Sequence, residues 1–484
     1  MLWNYQTVVN KECMKNYSQS ELWLEERPRE KCGIFAVNSY QGDGNAAFIT
    51  YLGLLSLQHR GQESAGMAYK TAGGIRNFKG MGLVDHVFPR EMLLSNESRT
   101  VLGHVRYSTT GPSLVANAQP LVARSFDSSS IALAHNGNLT NTRRLYHKLL
   151  REGHIFHTTS DTEIILSYLF RFKGEGLEKA VKKTMGIIQG SYAVVAMDDE
   201  KMFAFRDPNG FRPLAIGKIN DSIAFASESS AFDAVGATFL RELEPGEIVS
   251  ATPLGFRTID SKIKANSSLC IFEYVYFARP DSIIGGKSVY DVRRKVGYLL
   301  GKKIESDLDM VIPSPDSGIT AAIGLADYLN LPVEWAVHRN PYLGRTFIEP
   351  TQDEREMAVR LKFNPIREVV DGKRVAVVDD SLVRGTTARV LASLLKKAGA
   401  KEVHLCIASP PYKNPCYYGI DIPIAGDLAA LKSSLDNLAA EIGADSIKYA
   451  ALEDLHQAVG AERLGLCSAC FNGVYPALGK IEER

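Results

Sequence analysis

Two adjacent carboxylates, Asp379 and Asp380, follow a short Val-rich run, residues 375–378, of the kind that forms a strand buried on both faces. The next residues offer hydroxyls, a guanidinium and free backbone N–H groups at the start of a predicted helix: Ser381, Arg384, Gly385, Thr386 and Thr387. Such a loop favours a phosphate, and the two acids would face sugar hydroxyls and Mg²⁺. The pattern therefore indicates a site for a phosphorylated sugar. The alternative is an ordinary turn whose acids cap the helix.

A second candidate anion loop, residues 313–318, follows a predicted strand at 310–312 and precedes a predicted helix at 319–329. This loop contains Ser317. Taken alone, this loop is typical of an ordinary turn between a strand and a helix. Two such loops on neighbouring parallel strands suit a ligand with phosphate at one end and pyrophosphate at the other. The long segment 338–365 is predicted either to close over the pyrophosphate or to be a solvated loop. Its cations are Arg339, Arg345, Arg355, Arg360 and Lys362.

Four of the seven cysteines indicate a thiolate metal site. The four are Cys270, Cys416, Cys467 and Cys470. The last two form a C-x-x-C pair, and the set would bind zinc or an iron–sulfur cluster, because the spacing leaves both open. The odd total, in a chain without a secretory signal, argues against a disulfide framework. Cys406 is predicted to pack in a core, and Cys13 belongs to an N-terminal extension.

The N-terminal half places a cysteine and an arginine on predicted strands. Cys32 is the first residue of an apolar strand at 32–37, and Arg106 lies on a strand at 101–108. A buried strand cysteine is commonly inert, so Cys32 alone does not establish catalysis.

An Asn-Gly pair and an acidic residue follow further along this half. The run 131–139 reads as a strand that breaks at Asn136 and Gly137, and Asn-Gly by itself is typical of a hairpin turn. Asp161 belongs to Ser-Asp-Thr-Glu at 160–163, which matches a capping box before an apolar helix. The turn accounts for Asn136 and Gly137, and the capping box accounts for Ser160 and Glu163.

Composition bounds the class of protein. The chain has 484 residues, enough for two or three domains. With 56 Lys and Arg against 55 Asp and Glu, its net charge of +1 gives no indication of nucleic acid or an anionic membrane as partner. No apolar run reaches roughly 18 residues, and the first thirty residues lack the apolar segment of a secretory signal. Small-molecule partners and a cytoplasmic location are therefore predicted.

The pattern of predicted elements changes near residues 255–268. Before that point strands separated by polar turns predominate, whereas strands and helices alternate after it, as in a parallel α/β sheet. The residues before Cys32 are charged and lack apolar periodicity. We therefore predict an extension over 1–31, one domain over 32–262, and a second domain over 263–484 that ends in the C-x-x-C segment.

The pattern around Asp379 resembles the phosphoribosylpyrophosphate (PRPP) binding fingerprint of type I phosphoribosyltransferases. The features from Cys32 to Asp161, extended by RDPNGFRPL at 206–214 and SESSAFD at 227–233, resemble the glutaminase domain of N-terminal-nucleophile amidotransferases. The resemblance implies an α+β glutaminase sandwich with αββα layers. An α/β type I phosphoribosyltransferase domain with a parallel sheet would follow it.

The glutaminase resemblance implies a role for each singled-out residue. Cys32 would be the nucleophile and its own α-amine the base, because an α-amine titrates at about pH 8 and accepts a thiol proton at neutral pH. That amine must be free, so cleavage of a propeptide just before Cys32 is implied. Arg106 would hold the glutamine carboxylate and Asp161 its ammonium group. Asn136 and the N–H of Gly137 would form the oxyanion hole.

Together the motifs from Cys32 to residue 476 resemble the amidophosphoribosyltransferase family. The resemblance implies that glutamine, PRPP and water give 5-phosphoribosylamine, glutamate and pyrophosphate, the first committed step of purine synthesis. Ammonia would pass inside the protein from one site to the other. Asp379 and Asp380 would position the ribose hydroxyls, and residues 384–387 would bind the 5-phosphate.

The same resemblance implies cofactors and regulation. CIFEYVYF, PCYYGID and GLCSACF would supply the four cysteine ligands of a [4Fe-4S] cluster, and Mg²⁺ would bind at Ser317, Asp379 and Asp380. Purine nucleotides are implied as inhibitors, and the protein as a homo-oligomer, a dimer or tetramer. The segments 338–365 and 423–430 depart from the family pattern.

Two other functions compete with this interpretation. The first is another glutaminase-coupled enzyme, such as a sugar isomerase or asparagine synthetase, and the PRPP loop argues against it. The second is a non-catalytic nucleotide sensor that kept the phosphoribosyltransferase fold. The set of Cys32, Arg106, Asn136 and Asp161 argues against that reading.

Overall fold

The computed structural model describes residues 32–40, 45–107, 113–125, 129–199, 201–261, 263, 265–340, 363–420, 428–432, 434–460 and 465–477. Three predictions fall wholly or mostly outside these residues: the propeptide 1–31, the loop 338–365 and the segment 423–430. Within the described ranges, every helix is too short or too polar to cross a bilayer.

Two antiparallel sheets build the N-terminal half. Strands β1 to β13 are Gly33–Asn38, Ser64–Thr71, Gly74–Met81, Val101–Arg106, Leu121–Arg124, Ser130–Leu139, Gly190–Met197, Met202–Arg206, Ala215–Ile219, Ser222–Ala226, Thr238–Glu242, Ile248–Thr252 and Gly255–Ile259. One sheet has the order β11-β9-β10-β1-β4-β2-β3, and the other has the order β13-β12-β8-β7-β6-β5. The predicted strand-rich half is confirmed.

The two sheets pack face to face, and helices cover their outer faces. Along β1, Ile34 and Ala36 enter the core between the sheets, whereas Phe35 and Val37 enter the core beneath the helices. The helices are α1 (Ala46–Ser56), α2 (Val84–Val87), α3 (Arg90–Leu94), α4 (Thr142–Arg151), α5 (Thr162–Phe172), α6 (Leu177–Met185) and α7 (Ser230–Ala234). Helices α1, α2, α3 and α7 cover the first sheet and α4 to α6 the second, which gives αββα layers.

A parallel sheet organises the C-terminal half. Strands β14 to β23 are Leu269–Cys270, Ile283–Ile284, Lys287–Ser288, Met310–Pro313, Val337–Arg339, Phe363–Pro365, Arg374–Asp379, Glu402–Ile407, Ser446–Tyr449 and Leu466–Cys467. Helices α8 to α15 are Val289–Gly301, Ile319–Leu329, Arg367–Val370, Thr386–Lys397, Ala429–Lys432, Leu435–Ile442, Leu452–Val459 and Ala469–Asn472. Strands β17, β20, β21 and β22 pair in that order, all parallel.

The parallel sheet is buried on both faces, as its Val-rich strands predict. In β20, Ala376 and Val378 join the core with α8 and α9, while Val375 and Val377 join the core with α11. The predicted change of domain at 262/263 falls between β13, the last strand of the two large antiparallel sheets, and β14.

Strand β6 does not break at Asn136 and Gly137, and that prediction is wrong. Asn136 lies opposite Ala193 in β7, and Gly137 lies opposite Tyr192. Gly137 has φ +131°, and a Cβ there would lie 2.2 Å from the carbonyl oxygen of Ser191. Only glycine fits, so the Asn-Gly pair serves a close approach of two strands rather than a turn.

The predicted capping box is also wrong. Asp161 immediately precedes the first helical residue, Thr162, and its side chain does not cap the helix. The hydroxyl of Ser160 donates to Thr162 Oγ1 at 3.0 Å, and Glu163 accepts from the backbone N–H of His157 at 2.9 Å. The Asp161 carboxylate is therefore directed elsewhere.

Candidate active sites

Cys32 lies directly before β1 and is half-buried. Its Sγ is 3.5 Å from the carbonyl oxygen of Tyr107, the residue that follows Arg106 at the end of β4. Its own carbonyl oxygen accepts a hydrogen bond from Arg60 Nε at 3.1 Å. Arg60 thereby holds the main chain at the candidate nucleophile, and the thiol stands beside the strand that carries Arg106.

Asn136 approaches β1 from the other sheet. The Oγ of Ser227 accepts from Asn136 Nδ2 at 2.8 Å and from the backbone N–H of Ile34 at 2.9 Å. Ile34 is two residues after Cys32. The structure therefore brings the predicted oxyanion residue and the predicted nucleophile to the same end of β1.

Arg106 and Asp161 are both largely buried on this side of the sandwich. Arg106 Nη1 donates to Glu63 Oε1 at 2.7 Å. Asp161 Oδ2 accepts from the backbone N–H of Leu139 at 2.9 Å, and its Oδ1 lies 3.8 Å from His135 Nδ1. Burial lowers the pKa of His135 and outweighs the opposing charge of Asp161, so the ring is neutral at pH 7. A guanidinium and a carboxylate, each with a partner in the protein, thus lie on this side of the sandwich.

A buried ion network, made of Arg60, Glu228, Glu273 and Arg212, joins the two halves of the chain. Arg60 donates to Glu273 at 3.0 and 3.1 Å and also to Glu228. Arg212 donates to Glu273 at 3.4 Å and to the carbonyl oxygen of Gly419 at 2.8 Å. Sequence reasoning missed Glu273, although an ionisable residue inside an apolar run was a signal.

The C-terminal candidate site stands where β20 ends. Ser317 Oγ donates to Asp379 Oδ1 at 3.1 Å, and the backbone N–H of Asp380 donates to the same oxygen at 3.0 Å. Ser381 Oγ donates to Asp380 Oδ1 at 2.5 Å. Gly385, with φ +83°, precedes helix α11, so its left-handed conformation turns the loop into the helix. The predicted acid pair and helix start are confirmed as local structure.

The second predicted loop, 313–318, lies against the first. Pro313 pairs with Val378 across the parallel strands β17 and β20, and a Cβ on Gly318 would lie 2.0 Å from the carbonyl oxygen of Val378. Arg339, at the start of the predicted mobile segment, donates to Asp316 at 2.5 Å. Both loops therefore occupy one edge of the sheet, where open α/β sheets bind ligands.

An arginine that the sequence did not indicate is half-buried and lines the same small cavity as Asp380. Arg293, on α8, donates from Nε to the carbonyl oxygen of Tyr274 at 2.6 Å and from Nη2 to that of Ala278 at 2.8 Å. Burial lowers the pKa of Arg293, and the charge of Asp380 opposes this effect. A small cavity is lined by Arg293, Tyr274, Ser317 and Asp380. Helix α8 has no motif at this position, so only the tertiary structure reveals it.

The four predicted cluster cysteines come from three segments. Cys270 and Cys467 lie opposite each other in the parallel pair β14 and β23. Burial raises the pKa of the Cys270 thiol to about 12, and the neighbouring Cys416 adds to the rise. Burial also raises the pKa of the Cys470 thiol, and the other three cysteines raise it further. Among the described residues, no three His, Cys, Asp or Glu side chains are grouped closely enough to hold a single metal ion.

Fold and sites together define an enzyme in which a glutamine amidotransferase domain precedes a phosphoribosyltransferase domain. Family models agree: a glutamine amidotransferase domain matches residues 104–234, and a phosphoribosyl transferase domain matches residues 286–421. The chain belongs to the amidophosphoribosyltransferase family. The amidophosphoribosyltransferase of Bacillus subtilis is 43% identical over 92% of this chain and 94% of its own length. That of Archaeoglobus fulgidus is 45% identical over 93% and 99%.

Solved structures share the whole architecture. One is described as glutamine PRPP amidotransferase from Bacillus subtilis complexed with ADP and GMP. It superposes with a TM-score of 0.87 at 42% identity and covers 92% of this chain and 98% of that chain. A structure described as the allosteric regulatory enzyme of purine biosynthesis gives a TM-score of 0.88 at 42% identity, over 93% and 97%.

Proposed function

We propose that this chain converts glutamine, PRPP and water into 5-phosphoribosylamine, glutamate and pyrophosphate, as an amidophosphoribosyltransferase of purine biosynthesis. The observation that carries the proposal is the presence of two complementary sites in one chain. A cysteine beside an oxyanion candidate stands in one half, and an acid pair beside two anion loops stands in the other. The buried ion network connects them.

In the proposed glutaminase step, the Cys32 sulfur attacks the carboxamide carbon of glutamine. Its proton passes to the α-amine of Cys32 and then to the leaving ammonia. Asn136 and the N–H of Gly137 stabilise the negative charge that develops on the carbonyl oxygen. Arg106 binds the substrate carboxylate and Asp161 its ammonium group. Water then hydrolyses the thioester and releases glutamate.

In the proposed transfer step, ammonia attacks C1 of PRPP and pyrophosphate leaves. Asp379 and Asp380 bind the ribose hydroxyls, residues 384–387 bind the 5-phosphate, and the loop 313–318 faces the pyrophosphate. The oxygens of Ser317, Asp379 and Asp380 are the hard donors that Mg²⁺ prefers, so this edge of the sheet suits the ion. Mg²⁺ would neutralise charge on the leaving pyrophosphate. Internal transfer keeps the ammonia from being protonated in water.

The base in this scheme is the free α-amine of Cys32, so we propose that residues 1–31 are removed during maturation. An amide nitrogen in a peptide bond is not basic and could not accept the thiol proton. The mass of the purified active protein tests this step. A chain that starts at Cys32 is expected, and an active chain that retains residues 1–31 would exclude the proposed base.

The cysteine set fits an iron–sulfur cluster by its chemistry. The thiols of Cys270, Cys467 and Cys470 have raised pKa values and are poor free thiolates, and bound cations would stabilise the deprotonated sulfurs. In a [4Fe-4S] cluster each thiolate binds a different iron, so the ligands are spaced more widely than around one zinc ion. We therefore propose Cys270, Cys416, Cys467 and Cys470 as cluster ligands. The cluster would cross-link the three segments that carry them.

Several further properties belong to the same proposal. We propose domain limits of 32–262 and 263–484, supported by the change from antiparallel to parallel sheets. A homo-oligomer, dimer or tetramer, and inhibition by purine nucleotides are proposed from the family, one of whose structures is described with ADP and GMP. A cytoplasmic location is consistent with the absence of disulfides among the described cysteines.

A substrate-dependence assay tests the function as a whole. With Mg²⁺, glutamate and pyrophosphate are expected in equal amounts when glutamine and PRPP are both supplied. Pyrophosphate is also expected when an ammonium salt replaces glutamine. Glutamate formation without any PRPP consumption would favour another glutaminase-coupled enzyme. PRPP binding without turnover of either substrate would favour a nucleotide sensor.

A further inference from the structure

A cleft of about 670 Å³ lies in the N-terminal half, where strands β3 and β5 meet helix α5. Its volume is within the range of cavities that bind small organic molecules, roughly 300–1,000 Å³. Among the described residues that line it, none belongs to the proposed glutamine site or to the phosphoribosyl site. The cleft is therefore available to a ligand other than the two substrates.

Hydrogen bonds hold the walls of the cleft in place. Glu163, which is buried, accepts from the backbone N–H of His157 at 2.9 Å and from that of Thr158 at 2.7 Å. Asn117 Nδ2 donates to Thr159 Oγ1 at 2.9 Å, and the backbone N–H of Thr159 donates to Asn117 Oδ1 at 3.0 Å. These bonds join the loop before α5 to the segment before β5, so the cleft is formed before any ligand enters.

Apolar side chains make up one part of the lining. Leu121, Leu149 and Leu166 are buried in the core beneath α4 to α6, and Phe170 packs against that core. Ile155 also lines the cleft, and 74% of its surface is exposed. An apolar ligand body would cover this surface and so remove it from water.

Positive charge predominates in the rest of the lining. Lys79, Arg124 and Arg171 are cationic, and Glu163 is the one carboxylate among the described lining residues. Arg171 is also paired with Glu152, which lies outside the lining. Lys79 and Arg124 therefore leave a net positive charge in the cleft, and this charge favours an anionic ligand.

Lys79 is half-buried, and its partners are uncharged. Its Nζ donates to the carbonyl oxygen of Ala116 at 3.1 Å and to that of Ala118 at 2.6 Å. Burial lowers the pKa of Lys79 to about 8, and the charge of Arg106 contributes to the same effect. A bound anion would offset both effects, because it supplies the opposite charge that the site lacks.

We propose that this cleft binds a small organic anion with an apolar body, an aromatic carboxylate or an aromatic phosphate ester. The charged group lies at Lys79 and Arg124, and the body packs against Leu166 and Phe170. Glutamine and PRPP do not fit this description, since neither has an apolar body. The site is thus a second ligand site of the N-terminal half.

Calorimetric titration of the purified full chain with 1-naphthoate and 1-naphthyl phosphate tests the proposal. Saturable binding is expected for at least one of the two, and the tighter one identifies the ligand as a carboxylate or a phosphate ester. The neutral isostere 1-naphthamide and inorganic phosphate should each bind roughly tenfold or more weakly, because each lacks one half of the recognised chemistry. No binding of either anion at millimolar concentration, or equal binding of the neutral compound, would overturn the proposal.

Variants assign the binding to the cleft. Lys79→Met and Arg124→Gln should each weaken binding roughly 10- to 100-fold, because each removes a charged hydrogen-bond donor. Arg76→Gln is the matched control, since Arg76 is exposed on β3 and its side chain is on the face of the strand opposite to Lys79. Arg124 is exposed, so its variant keeps the test valid if Lys79→Met does not fold. Wild-type affinity in Arg124→Gln, or an equal loss in Arg76→Gln, would contradict the assignment.

The dependence of affinity on pH gives a second readout for Lys79. Between pH 8 and 9.5 the lysine loses its proton, so the affinity of the wild type for 1-naphthoate should fall several-fold. Lys79→Arg keeps its charge in this range and should show no such fall. Side chains of the other ionisable types present do not ordinarily titrate there. Those that face the cleft or Lys79 are Arg106, Arg124, Arg171, His154, His157 and Glu163. An equal fall in Lys79→Arg and the wild type would exclude Lys79 as the anion's partner.

Discussion

Ser317 donates a hydrogen bond to Asp379 across 3.1 Å and so joins two loops whose residues are 62 positions apart in sequence. The loops extend from the carboxyl ends of the neighbouring parallel strands β17 and β20. A ligand that binds the acid pair must therefore also face the loop 313–318. This arrangement suits a sugar that carries a leaving group next to its diol.

Replacing Asp379 by Asn should weaken the use of PRPP. Loss of a hydrogen bond to a charged group costs about 1.5–3 kcal/mol, so kcat/KM for PRPP with ammonia as nitrogen donor should fall about 10- to 100-fold. Pyrophosphate release measures the effect. Asp309→Asn is the control, because Asp309 bonds Arg374 at the amino end of the same sheet. Equal losses in both variants would contradict the assignment of the acid pair.

Asn136→Ala should separate the two activities. Removing one oxyanion donor lowers the rate by roughly 10²- to 10³-fold, so glutamine-dependent synthesis should fall by that factor while ammonia-dependent synthesis is retained. Asn141 provides a buried control, since its side chain bonds the carbonyl oxygen of Ile187 and the backbone N–H of Gln189. Asn141→Ala should leave the ratio of the two activities unchanged. A parallel fall of both activities in Asn136→Ala would remove this residue from the glutaminase site.

Cys467→Ser should abolish cluster binding. Cys467 lies opposite Cys270 in the β14–β23 pair, so the loss of one ligand should release iron and acid-labile sulfide from the purified protein. Cys406→Ser is the control, because Cys406 is buried in β21 and is not one of the four proposed ligands. Metal and sulfide analysis after anaerobic purification measures both. Stoichiometric zinc in place of iron would contradict the proposal of an iron–sulfur cluster.

His104 should make the fold sensitive to acid. Burial, with the charge of Arg106, lowers its pKa to about 3, so the ring is neutral in the folded protein at higher pH. The unfolded chain, with a pKa of about 6.5, binds the extra proton as pH falls, so stability is lost between about pH 6.5 and 3. The loss reaches about 5 kcal/mol at pH 3.

Urea unfolding at several pH values measures this loss. The free energy of unfolding of His104→Gln should decline less steeply with acid than that of the wild type. His86 is largely exposed, so His86→Gln should follow the wild-type slope. If His104→Gln and the wild type have the same slope, the buried ring titrates near its ordinary pKa.

Local signals in the sequence were sufficient for much of the secondary structure. Helix α9 spans the predicted 319–329, and α13 begins after Ser434, whose side chain accepts from the backbone N–H of Asn437, and is followed by Gly443. Apolar periodicity, a capping hydroxyl and a terminal glycine act within a few residues of each other. The acid pair after β20 was likewise predictable, because a strand and the turn after it are contiguous.

Wrong predictions arose where a distant strand determined the local structure. Gly137 continues β6 because β7 supplies pairing partners across the whole strand. Ser160 and Glu163 do not form the predicted capping box, because Glu163 accepts from the backbone N–H of His157 instead. Gly137 and Asp161, the neighbour of Ser160, belong to the proposed glutamine site, where function and local preference compete.

Residues that act through partners in the other half could not be assigned from the sequence. Glu228 was visible in SESSAFD. However, one of its carboxylate oxygens accepts from Arg60 and the other from Ser282, and these contacts depend on how the two halves meet. Glu273 and Arg293 likewise bond groups far away in the chain. No spacing rule links such residues.

The central claim is that sulfur at Cys32 releases the nitrogen that is used beside Asp379 and Asp380. Pyrophosphate release by Cys32→Ala, measured once with glutamine and once with an ammonium salt, tests it most directly. The account predicts that release with glutamine disappears while release with ammonium stays near the wild-type rate. Equal loss of both activities, or full retention of the glutamine-dependent one, would contradict it.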